Sequence, residues 1–241
     1  MEKINVVILG AGKGTRMPES EIPKVMYKLR GKPMIQYLVE KSRKLGIKPI
    51  VVIGYRGEVI KKAIGSSANY VWQRARKGTG HAVRMTEKLL KGEPGATIVL
   101  YGDMPLWSVN TLKQLIKAYE QSGATVVLVT VELPVEFTYG RIIRDKKGKI
   151  LGIIEEKDCT AAQLRIKEKN SGLYIFNNQW LWENLPKIKN NNRQKEFYLT
   201  DLIEIAIKEG EPVETIEVAN PKEAMGVNTL QDYKAIQRVA Q

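Results

Sequence analysis

A glycine-rich loop follows the first apolar run of the chain. Residues 9–17 read L-G-A-G-K-G-T-R-M and come directly after an apolar run at 4–8. Glycines allow backbone N–H groups to approach an anion closely, and Lys13 and Arg16 can neutralise its charge. The loop lacks the Ser or Thr that follows Gly-Lys in a P-loop, and Thr15 replaces the third glycine of the dinucleotide fingerprint. It therefore predicts either a phosphate-binding turn of another type or a purely structural glycine turn.

A second loop, Tyr101-Gly102-Asp103-Met104-Pro105, follows the apolar run at 97–100. Ligands of open parallel sheets bind beyond the carboxyl ends of the strands, so Asp103 is expected to face whatever phosphate the first loop holds. A carboxylate opposite a polyphosphate is a natural Mg²⁺ ligand, because Mg²⁺ prefers hard oxygen donors and shared phosphate oxygens. Taken alone, Asp103 also fits a turn or a helix cap.

The remaining reactive side chains restrict the chemistry. His81 is the only histidine, which argues against a serine–histidine–acid triad and a polyhistidine metal site. Within G-T-G-H-A it is interpreted as a helix-start or packing residue. Cys159 stands beside Asp158 with no histidine near it in sequence, and it is interpreted as a small packing side chain, not a nucleophile.

The size and composition of the chain are those of a folded α/β protein. Its 241 residues suffice for one large domain with a small appendage. A hydrophobic fraction of 43% and a charged fraction of 27% exclude a disordered chain. No apolar run approaches the roughly 18 residues of a membrane span, and no signal peptide is predicted. The single cysteine excludes an internal disulfide and favours a cytoplasmic location.

The net charge of +13 raises the question of nucleic-acid binding. The cations are spread along the whole chain, with no arginine-rich tail, and the cluster at 146–149 falls in a predicted hairpin turn. This pattern favours a solvated lysine-rich surface. Attraction of small phosphorylated substrates and a nucleic-acid-binding module are the two other interpretations.

Up to residue 131, apolar β-branched runs alternate with amphipathic stretches, which predicts a doubly wound, mostly parallel α/β sheet. The predicted strands are 4–9, 49–53, 69–72, 96–101 and 124–131, and the predicted helices are 33–45, 56–64, 79–91 and 109–122. The helix at 109–122 is well marked, because Ser108 can cap it and Gly123 can end it.

Beyond residue 131 the rhythm changes, and this half is expected to extend the sheet and cover one side of the cleft. The predicted elements are a hairpin of 141–145 and 150–155, strands at 171–176 and 213–218, helices near 178–185 and 198–209, and a last helix at 230–239. That last helix stops without a glycine cap, which is consistent with a chain cut within a longer helix.

The motifs taken together resemble the uridyltransferase domain of bacterial N-acetylglucosamine-1-phosphate uridyltransferases, within the sugar-phosphate nucleotidyltransferases. The matching motifs, in chain order, are L-x-x-G-x-G-T-R-M at 9–17, P-K-V at 23–25, Gln73 with G-T-G-H-A at 78–82, Y-G-D at 101–103, Y-G-R at 139–141, I-E-E-K-D at 154–158, N-S-G at 170–172, Y-L-T-D at 198–201 and G-V-N at 226–228. The glycine loop indicates only the superfamily, whereas the order of the later motifs is specific to the acetylamino-sugar branch.

The resemblance implies a Rossmann-like nucleotidyltransferase fold (glycosyltransferase-A-like) with a mixed sheet, and it implies a role for each matching residue. Uracil and ribose would be held by Gly10, Ala11, Gly12, Gln73, Gly78 and Thr79. Phosphates would be held by Arg16 and Lys24, which with Asp103 form the implied catalytic set. Magnesium, the implied cofactor, would be ligated by Asp103 and Asn228. The amino-sugar would be bound by Gly140, Glu155 and Asn170, with Thr79 near the acetyl group. Further substrate-binding residues would be Leu9, Tyr101 and Gly102.

The resemblance also implies a domain organisation. Residues 1–228 would form the nucleotidyltransferase domain, with a nucleotide-binding half at about 1–131 and a sugar-binding half at about 132–228. Residues 229–241 would be a C-terminal helix. Relatives usually continue into a β-helix that acetylates glucosamine-1-phosphate. This chain ends before any hexapeptide repeats, so acetyltransferase activity is predicted to be absent from it. A homo-oligomer is implied only if the natural chain has that domain.

Two departures from the family pattern are visible, namely Gly10 where Ala is frequent and Ser171 where Thr is frequent. The implied reaction is in-line transfer of the uridylyl group from UTP to N-acetylglucosamine-1-phosphate, with small-molecule substrates and neither nucleic acid nor membrane as partners. The Y-G-R glycine is expected to let the backbone approach a sugar hydroxyl. Three alternatives stay open: another hexose-1-phosphate or dTTP as substrate, a non-catalytic nucleotide-sugar-binding relative, and a nucleic-acid-binding module.

Overall fold

The computed structural model describes residues 2–14, 16–17, 22–135 and 137–239. Thr15 of the glycine loop and the chain ends, Met1 and 240–241, lie outside the described residues. The strands are β1 (Ile4–Gly10), β2 (Lys28–Leu29), β3 (Lys32–Pro33), β4 (Ile50–Ile53), β5 (Asn69–Trp72), β6 (Ala96–Tyr101), β7 (Val126–Glu132), β8 (Arg141–Arg144), β9 (Ile150–Ile154), β10 (Glu168–Asn177) and β11 (Val213–Glu217). The helices are α1 (Met34–Lys44), α2 (Gly57–Ile64), α3 (Thr79–Arg84), α4 (Glu87–Leu90), α5 (Val109–Ser122), α6 (Asn178–Asn184), α7 (Asp201–Glu209) and α8 (Leu230–Val239).

Nine of these strands form one mixed sheet within the described residues, in the order β11-β7-β10-β6-β1-β4-β5, with the β8–β9 hairpin attached to β10. Strands β6, β1, β4 and β5 are parallel, and so are β11 and β7, whereas β10 runs antiparallel between β6 and β7. The predicted mostly parallel sheet is therefore confirmed. The half beyond residue 131 extends the same sheet, as expected.

Both faces of the sheet are covered by helices. Side chains alternate along β1, so that Val6 and Ile8 pack on one face and Val7 on the other. Apolar residues of α1, α2 and α5 pack on the first face, and those of α3, α4, α6 and α7 on the second. The sheet is thus doubly wound, and its inner strands β4, β6 and β7 are largely apolar because both of their faces are buried. In the part of the chain that the structure describes, no helix has the length and apolar character needed to cross a bilayer.

The helix predicted at 79–91 is divided into α3 and α4, and the prediction of one continuous helix is wrong. The break lies at Thr86, which is buried. Both its N–H (2.9 Å) and its hydroxyl (2.8 Å) donate to the carbonyl oxygen of Val83. These bonds, three residues back in the chain, replace the regular four-residue spacing of the α-helix and tighten the turn.

The helix predicted at 198–209 begins only at Asp201, because the residues before it are engaged in tertiary hydrogen bonds. The N–H of Gly80 donates to the carbonyl oxygen of Phe197 (2.8 Å), and the N–H of Leu199 donates to Oγ1 of Thr79 (2.9 Å). The segment at 197–199 is thereby joined to the start of α3, next to the predicted nucleotide side.

The C-terminal helix α8 has the predicted bounds, and it packs on the same domain. Ile236 of α8 is buried with Met17, Leu29, Met34 and Val227 in a third, smaller apolar cluster. This cluster joins the glycine loop, the β2–β3 hairpin and the start of α1 to the end of the chain. The helix therefore contributes to the position of the residues that precede it.

Candidate active site

The glycine loop and the Y-G-D loop leave the same edge of the sheet. Leu9 of β1 pairs with Tyr101 of β6 in parallel register, and the N–H of Gly102 donates to the carbonyl oxygen of Leu9 (2.9 Å). This places both loops beyond the carboxyl ends of adjacent strands, as the sequence predicted.

A cleft of about 530 Å³ opens at this edge. Of the predicted residues, it is lined by Leu9, Ala11, Gly12, Lys24, Gln73, Gly78, Thr79, Tyr101 and Asp103. Gly10 and Gly102 lie behind this surface and pack against Ile35 of α1. The cleft is also lined by Arg76 and Glu196, which the sequence reasoning missed. For Arg76 a signal was available, because Arg74, Arg76 and Lys77 stand directly before the G-T-G-H-A motif.

Four predicted site residues meet at one rim of the cleft. The ammonium of Lys24 forms an ion pair with the carboxylate of Asp103. The same Nζ donates to Oδ1 of Asn228 (3.0 Å), and Nη2 of Arg16 donates to that oxygen as well (3.1 Å). The Lys24 and Asp103 side chains are only 14% and 19% exposed. Two cations, a carboxylate and an amide oxygen thus form one connected cluster, although Lys24 and Asn228 are separated by 204 residues in sequence.

The oxygens of this cluster fit a divalent cation. The carboxylate of Asp103 and Oδ1 of Asn228 both face the Lys24 ammonium, so that a positive charge already stands between two hard oxygen donors. These are the donors that Mg²⁺ prefers, usually with phosphate and water oxygens completing its shell. The described residues contain no cluster of three or more His, Cys, Asp or Glu that could hold a metal alone.

Asn228 is held in place by the start of α8. The Oδ2 atom of Asp232, in the first turn of α8, accepts the N–H groups of Asn228 (2.9 Å) and Thr229 (2.7 Å). In return, Oγ1 of Thr229 accepts the N–H of Asp232 (3.2 Å), which completes a reciprocal cap of the helix. On the other side, the N–H of Val227 donates to the carbonyl oxygen of Asp103 (3.0 Å). The two predicted metal-ligating residues are therefore connected through the backbone as well as through Lys24.

Gln73 and His81 form a hydrogen-bonded pair at the predicted nucleotide side. Nε2 of Gln73 donates to the carbonyl oxygen of Gly78 (3.0 Å) and to Nδ1 of His81 (3.0 Å). Because an amide nitrogen can only donate, His81 must be neutral and accept at Nδ1. Burial, followed by the nearby cations Lys77 and Arg84, lowers the pKa of His81. The Gln73 carbonyl oxygen remains as the amide atom that can bind a ligand.

Protonation of His81 is therefore expected to weaken nucleotide binding. The folded-state pKa lies below the ordinary value of 6.5, so this arrangement is lost as the pH falls from that value through the folded-state pKa. For UTP, the nucleotide that the resemblance implies, we expect the affinity to fall about fivefold at acid pH relative to that of His81→Gln, the scale of one hydrogen bond. Calorimetric titration of both proteins at neutral and acid pH measures this. The protonation of UTP is common to both proteins, so parallel pH profiles would contradict the prediction.

The predicted sugar-side residues lie beyond Tyr101. The N–H of Asn170 donates to the carbonyl oxygen of Gly140 (2.9 Å), which brings these two residues together. Oε1 of Glu155 accepts the hydroxyl of Thr200 (3.0 Å), and burial raises the pKa of the Glu155 carboxyl. Thr200 belongs to the Y-L-T-D motif, for which the sequence alone predicted no role in the site.

Packing within the protein also restricts position 140 to a small residue. A Cβ on Gly140 would lie 3.0 Å from Cγ2 of Ile153, 3.5 Å from the carbonyl oxygen of Ile154 and 3.6 Å from Cβ of Asn170. A side chain here would therefore meet β9 and Asn170. The expected approach of the Gly140 backbone to a sugar hydroxyl stays a prediction.

The N-S-G motif forms an irregularity in β10 that directs Asn170. The pairing of β10 with β7 shifts register between Asn170 and Tyr174, and a bulge of this kind changes the direction of a side chain. Gly172 has φ +76°, and a Cβ on it would lie 2.8 Å from Cδ2 of Tyr101. Glycine is needed at position 172 for both reasons. The Oγ atom of Ser171 donates to the carbonyl oxygen of Val129 (2.6 Å).

Tyr139 and Arg141 brace the segment around Gly140. The hydroxyl of Tyr139 donates to the carbonyl oxygen of Ala224 (2.9 Å) and accepts the N–H of Gly226 (2.8 Å), which joins the Y-G-R and G-V-N motifs. The guanidinium of Arg141 is buried and donates to the carbonyl oxygens of Tyr139, Val135 and Leu164. Both side chains therefore fix the position of the backbone around Gly140.

Cys159 has the character of a packing residue, in agreement with its interpretation from sequence. Its Sγ is hydrogen-bonded to the carbonyl oxygen of Ile154 (3.6 Å), and the residue is 8% exposed. Burial raises the pKa of the Cys159 thiol, which disfavours the thiolate that a nucleophile requires.

Comparison with known proteins adds a family and a fold. The nucleotidyl transferase family model matches residues 5–220. The bifunctional protein GlmU of Exiguobacterium sibiricum is 42% identical over 92% of this chain and 49% of that protein. The protein of the same name from Brevibacillus brevis is 39% identical over 95% of this chain and 50% of that protein. The chain thus spans about half the length of the curated relatives it matches.

A solved structure of a UDP-glucose pyrophosphorylase complexed with UDP-glucose has a TM-score of 0.77 to this chain at 21% identity. The alignment covers 98% of this chain and 97% of that one. At this identity the likeness shows a shared fold, which agrees with the mixed, doubly wound sheet.

Proposed function

The chain belongs to the nucleotidyl transferase family, and we propose that it transfers a uridylyl group from UTP to N-acetylglucosamine-1-phosphate. In this reaction a phosphate oxygen of the sugar phosphate attacks the α-phosphorus of UTP. The bond between the α-phosphorus and the bridging oxygen breaks, and pyrophosphate leaves with the electron pair. The products are UDP-N-acetylglucosamine and pyrophosphate, with no covalent enzyme intermediate.

The observation that carries this proposal is the cluster of Arg16, Lys24, Asp103 and Asn228 at the rim of a cleft lined by the glycine loop. A non-catalytic relative would have no need for two cations and two oxygen donors at one point. The similarity of about 40% to the GlmU proteins supports the amino-sugar substrate. Gly10 and Ser171, the two departures from the family pattern, are small replacements that leave these groups intact.

The chemistry requires positioning and charge neutralisation more than proton transfer. A sugar phosphate is already ionised at neutral pH, so a strong general base is unnecessary. His81 is held neutral by Gln73 and is outside the Lys24 cluster, in keeping with this. Arg16 and Lys24 would stabilise the charge that builds on the transferred and leaving phosphates. Phosphate oxygens would draw Lys24 away from Asp103, because both compete for the same ammonium.

Each side of the cleft would then bind one part of the reactants. Leu9, the backbone of the glycine loop, Gln73, Gly78 and Thr79 would bind uracil and ribose. Gly140, Glu155, Asn170 and the Tyr101–Gly102 segment would bind the sugar. Holding both substrates in line converts a bimolecular step into an effectively unimolecular one.

Magnesium would be held by Asp103 and Asn228 together with phosphate oxygens of the substrate. It would supply Lewis-acid polarisation of the phosphates and neutralise their charge. The division of the chain into a nucleotide-binding half at 1–131 and a sugar-binding half at 132–228 belongs to the same proposal. The cytoplasmic location is part of the same proposal, and the presence of a single cysteine without a disulfide supports it.

The test is an incubation of the purified chain with UTP, N-acetylglucosamine-1-phosphate and Mg²⁺, followed by measurement of pyrophosphate. In parallel reactions glucose-1-phosphate replaces N-acetylglucosamine-1-phosphate, and dTTP replaces UTP. We expect the largest kcat/KM for the first pair. A larger value with glucose-1-phosphate or dTTP would move the proposal to that substrate, and no pyrophosphate from any pair would refute nucleotidyl transfer.

The nucleic-acid-binding interpretation makes a separate prediction. Phosphate contacts along a polynucleotide give an affinity that falls steeply with salt. We expect no such binding by this chain, because its cations are dispersed. A strongly salt-dependent affinity for single- or double-stranded polynucleotides would favour that interpretation.

A further inference from the structure

A buried tyrosine lies behind the residues assigned to the sugar side of the cleft. It is Tyr174 of β10, a residue that no motif singled out and whose side chain is fully buried. Its hydroxyl contacts Nδ2 of Asn170 at 2.5 Å. The rings of Tyr174 and Tyr101 meet edge to face, with centroids 6.3 Å apart.

The direction of these bonds can be worked out from donor chemistry. The N–H of Gly172 donates to Oδ1 of Asn170 (3.2 Å), because a backbone N–H can only donate. The Asn170 amide is thereby oriented with Nδ2 toward Tyr174. An amide nitrogen also only donates, so the Tyr174 oxygen accepts from Asn170.

The Asn170 amide keeps capacity for a ligand. After its bonds to Tyr174 and Gly172 it retains one amide N–H and one lone pair, and both can bind a substrate group on the sugar side.

We propose that Tyr174 is a positioning residue for the sugar substrate, acting through the Asn170 amide without contacting the substrate. The inference rests on the proposed function, since it assigns Asn170 to the sugar side. Without the Tyr174 hydroxyl, the Asn170 amide is held only by Gly172 and can rotate. Burial keeps the pKa of Tyr174 well above its ordinary value, so the phenol stays protonated across the working pH range.

The test is Tyr174→Phe, which removes one oxygen and retains the ring. We expect the KM for N-acetylglucosamine-1-phosphate to rise about tenfold, the scale for a buried group left without its partner. The KM for UTP should change less than about twofold, because the direct contacts of Gln73 and Gly78 are untouched. Tyr119→Phe is the matched control. It also removes a phenol hydroxyl from a nearly buried tyrosine, one bonded to Asn177 (3.4 Å) away from the cleft.

A double-mutant cycle distinguishes positioning from general loss of stability. If Tyr174 acts through Asn170, adding Tyr174→Phe to Asn170→Ala should raise the sugar KM further by less than about twofold. Effects that multiply, or equal rises in both KM values, would overturn the inference. Calorimetric binding of UDP-N-acetylglucosamine and of UTP gives the same comparison without turnover.

The two proposals fail in distinguishable ways. A wild-type chain that neither releases pyrophosphate nor binds the nucleotide sugar refutes the proposed function, and this inference with it. An active wild-type chain whose Tyr174→Phe variant behaves like Tyr119→Phe refutes this inference alone.

Discussion

Asp103→Ala is expected to lower kcat at least ~10²-fold, the scale for removing one preorganised electrostatic group from an active site. Asp103 contributes the carboxylate in a cluster whose other members are two cations and one neutral amide. Without it, the only protein oxygen facing the Lys24 ammonium in this cluster is that of Asn228. Pyrophosphate release at saturating substrate and Mg²⁺ measures the effect.

Binding of Mn²⁺, followed by electron paramagnetic resonance in the presence of UTP, gives a readout that does not depend on turnover. It should weaken in the variant together with kcat. Asp145→Ala is the control, because Asp145 accepts the N–H groups of Lys147 (2.8 Å) and Lys149 (2.9 Å) in the hairpin turn. Near-normal rates in Asp103→Ala would remove the argument for a metal at this rim. An equal loss in Asp145→Ala would show that the effect is not specific to the cluster.

Gly140→Val is expected to raise the KM for the sugar phosphate about tenfold, within the 1–3 kcal/mol typical of overpacking. The added Cβ would lie 3.0 Å from Cγ2 of Ile153 and 3.6 Å from Cβ of Asn170, and the γ-carbons of valine would increase the crowding. Relief requires β9 or Asn170 to move, and Asn170 is a sugar-side residue. The KM for UTP should be little affected, because Gln73 and the glycine loop are on the other side of Tyr101.

Gly140→Ala provides a graded control for this prediction. Its single Cβ needs a shift of a few tenths of an ångström at Ile153, so its effect on the sugar KM should be clearly smaller than that of valine. Steady-state kinetics with each substrate varied in turn, alongside thermal unfolding, make the comparison. An equal loss of affinity for both substrates would indicate general misfolding and count against a local role of Gly140.

Local signals predicted most of the secondary structure because they act over a few residues. Helix α5 has the predicted bounds, since Oγ of Ser108 accepts the N–H of Thr111 (3.0 Å) and Gly123 takes the left-handed conformation at the end. The apolar runs predicted the buried strands in the same way. The helix at 79–91 was predicted wrongly because its apolar spacing continues through Thr86, whose own hydrogen bonds interrupt the helix.

For the site, the chain itself settles which loops follow which strands, because the carboxyl ends of parallel neighbours share one edge. That argument predicts from the sequence that the glycine loop and Asp103 lie together, and the pairing of β1 with β6 confirms it. It could not pair Lys24 with Asn228, place Arg76 and Glu196 in the cleft, or connect Tyr174 to Asn170 and Tyr101. Those contacts join residues on different elements, and α8, the β10 bulge and side-chain packing bring them within reach. Contacts of that kind depend on distance in three dimensions, and the spacing of residues along a sequence does not determine that distance.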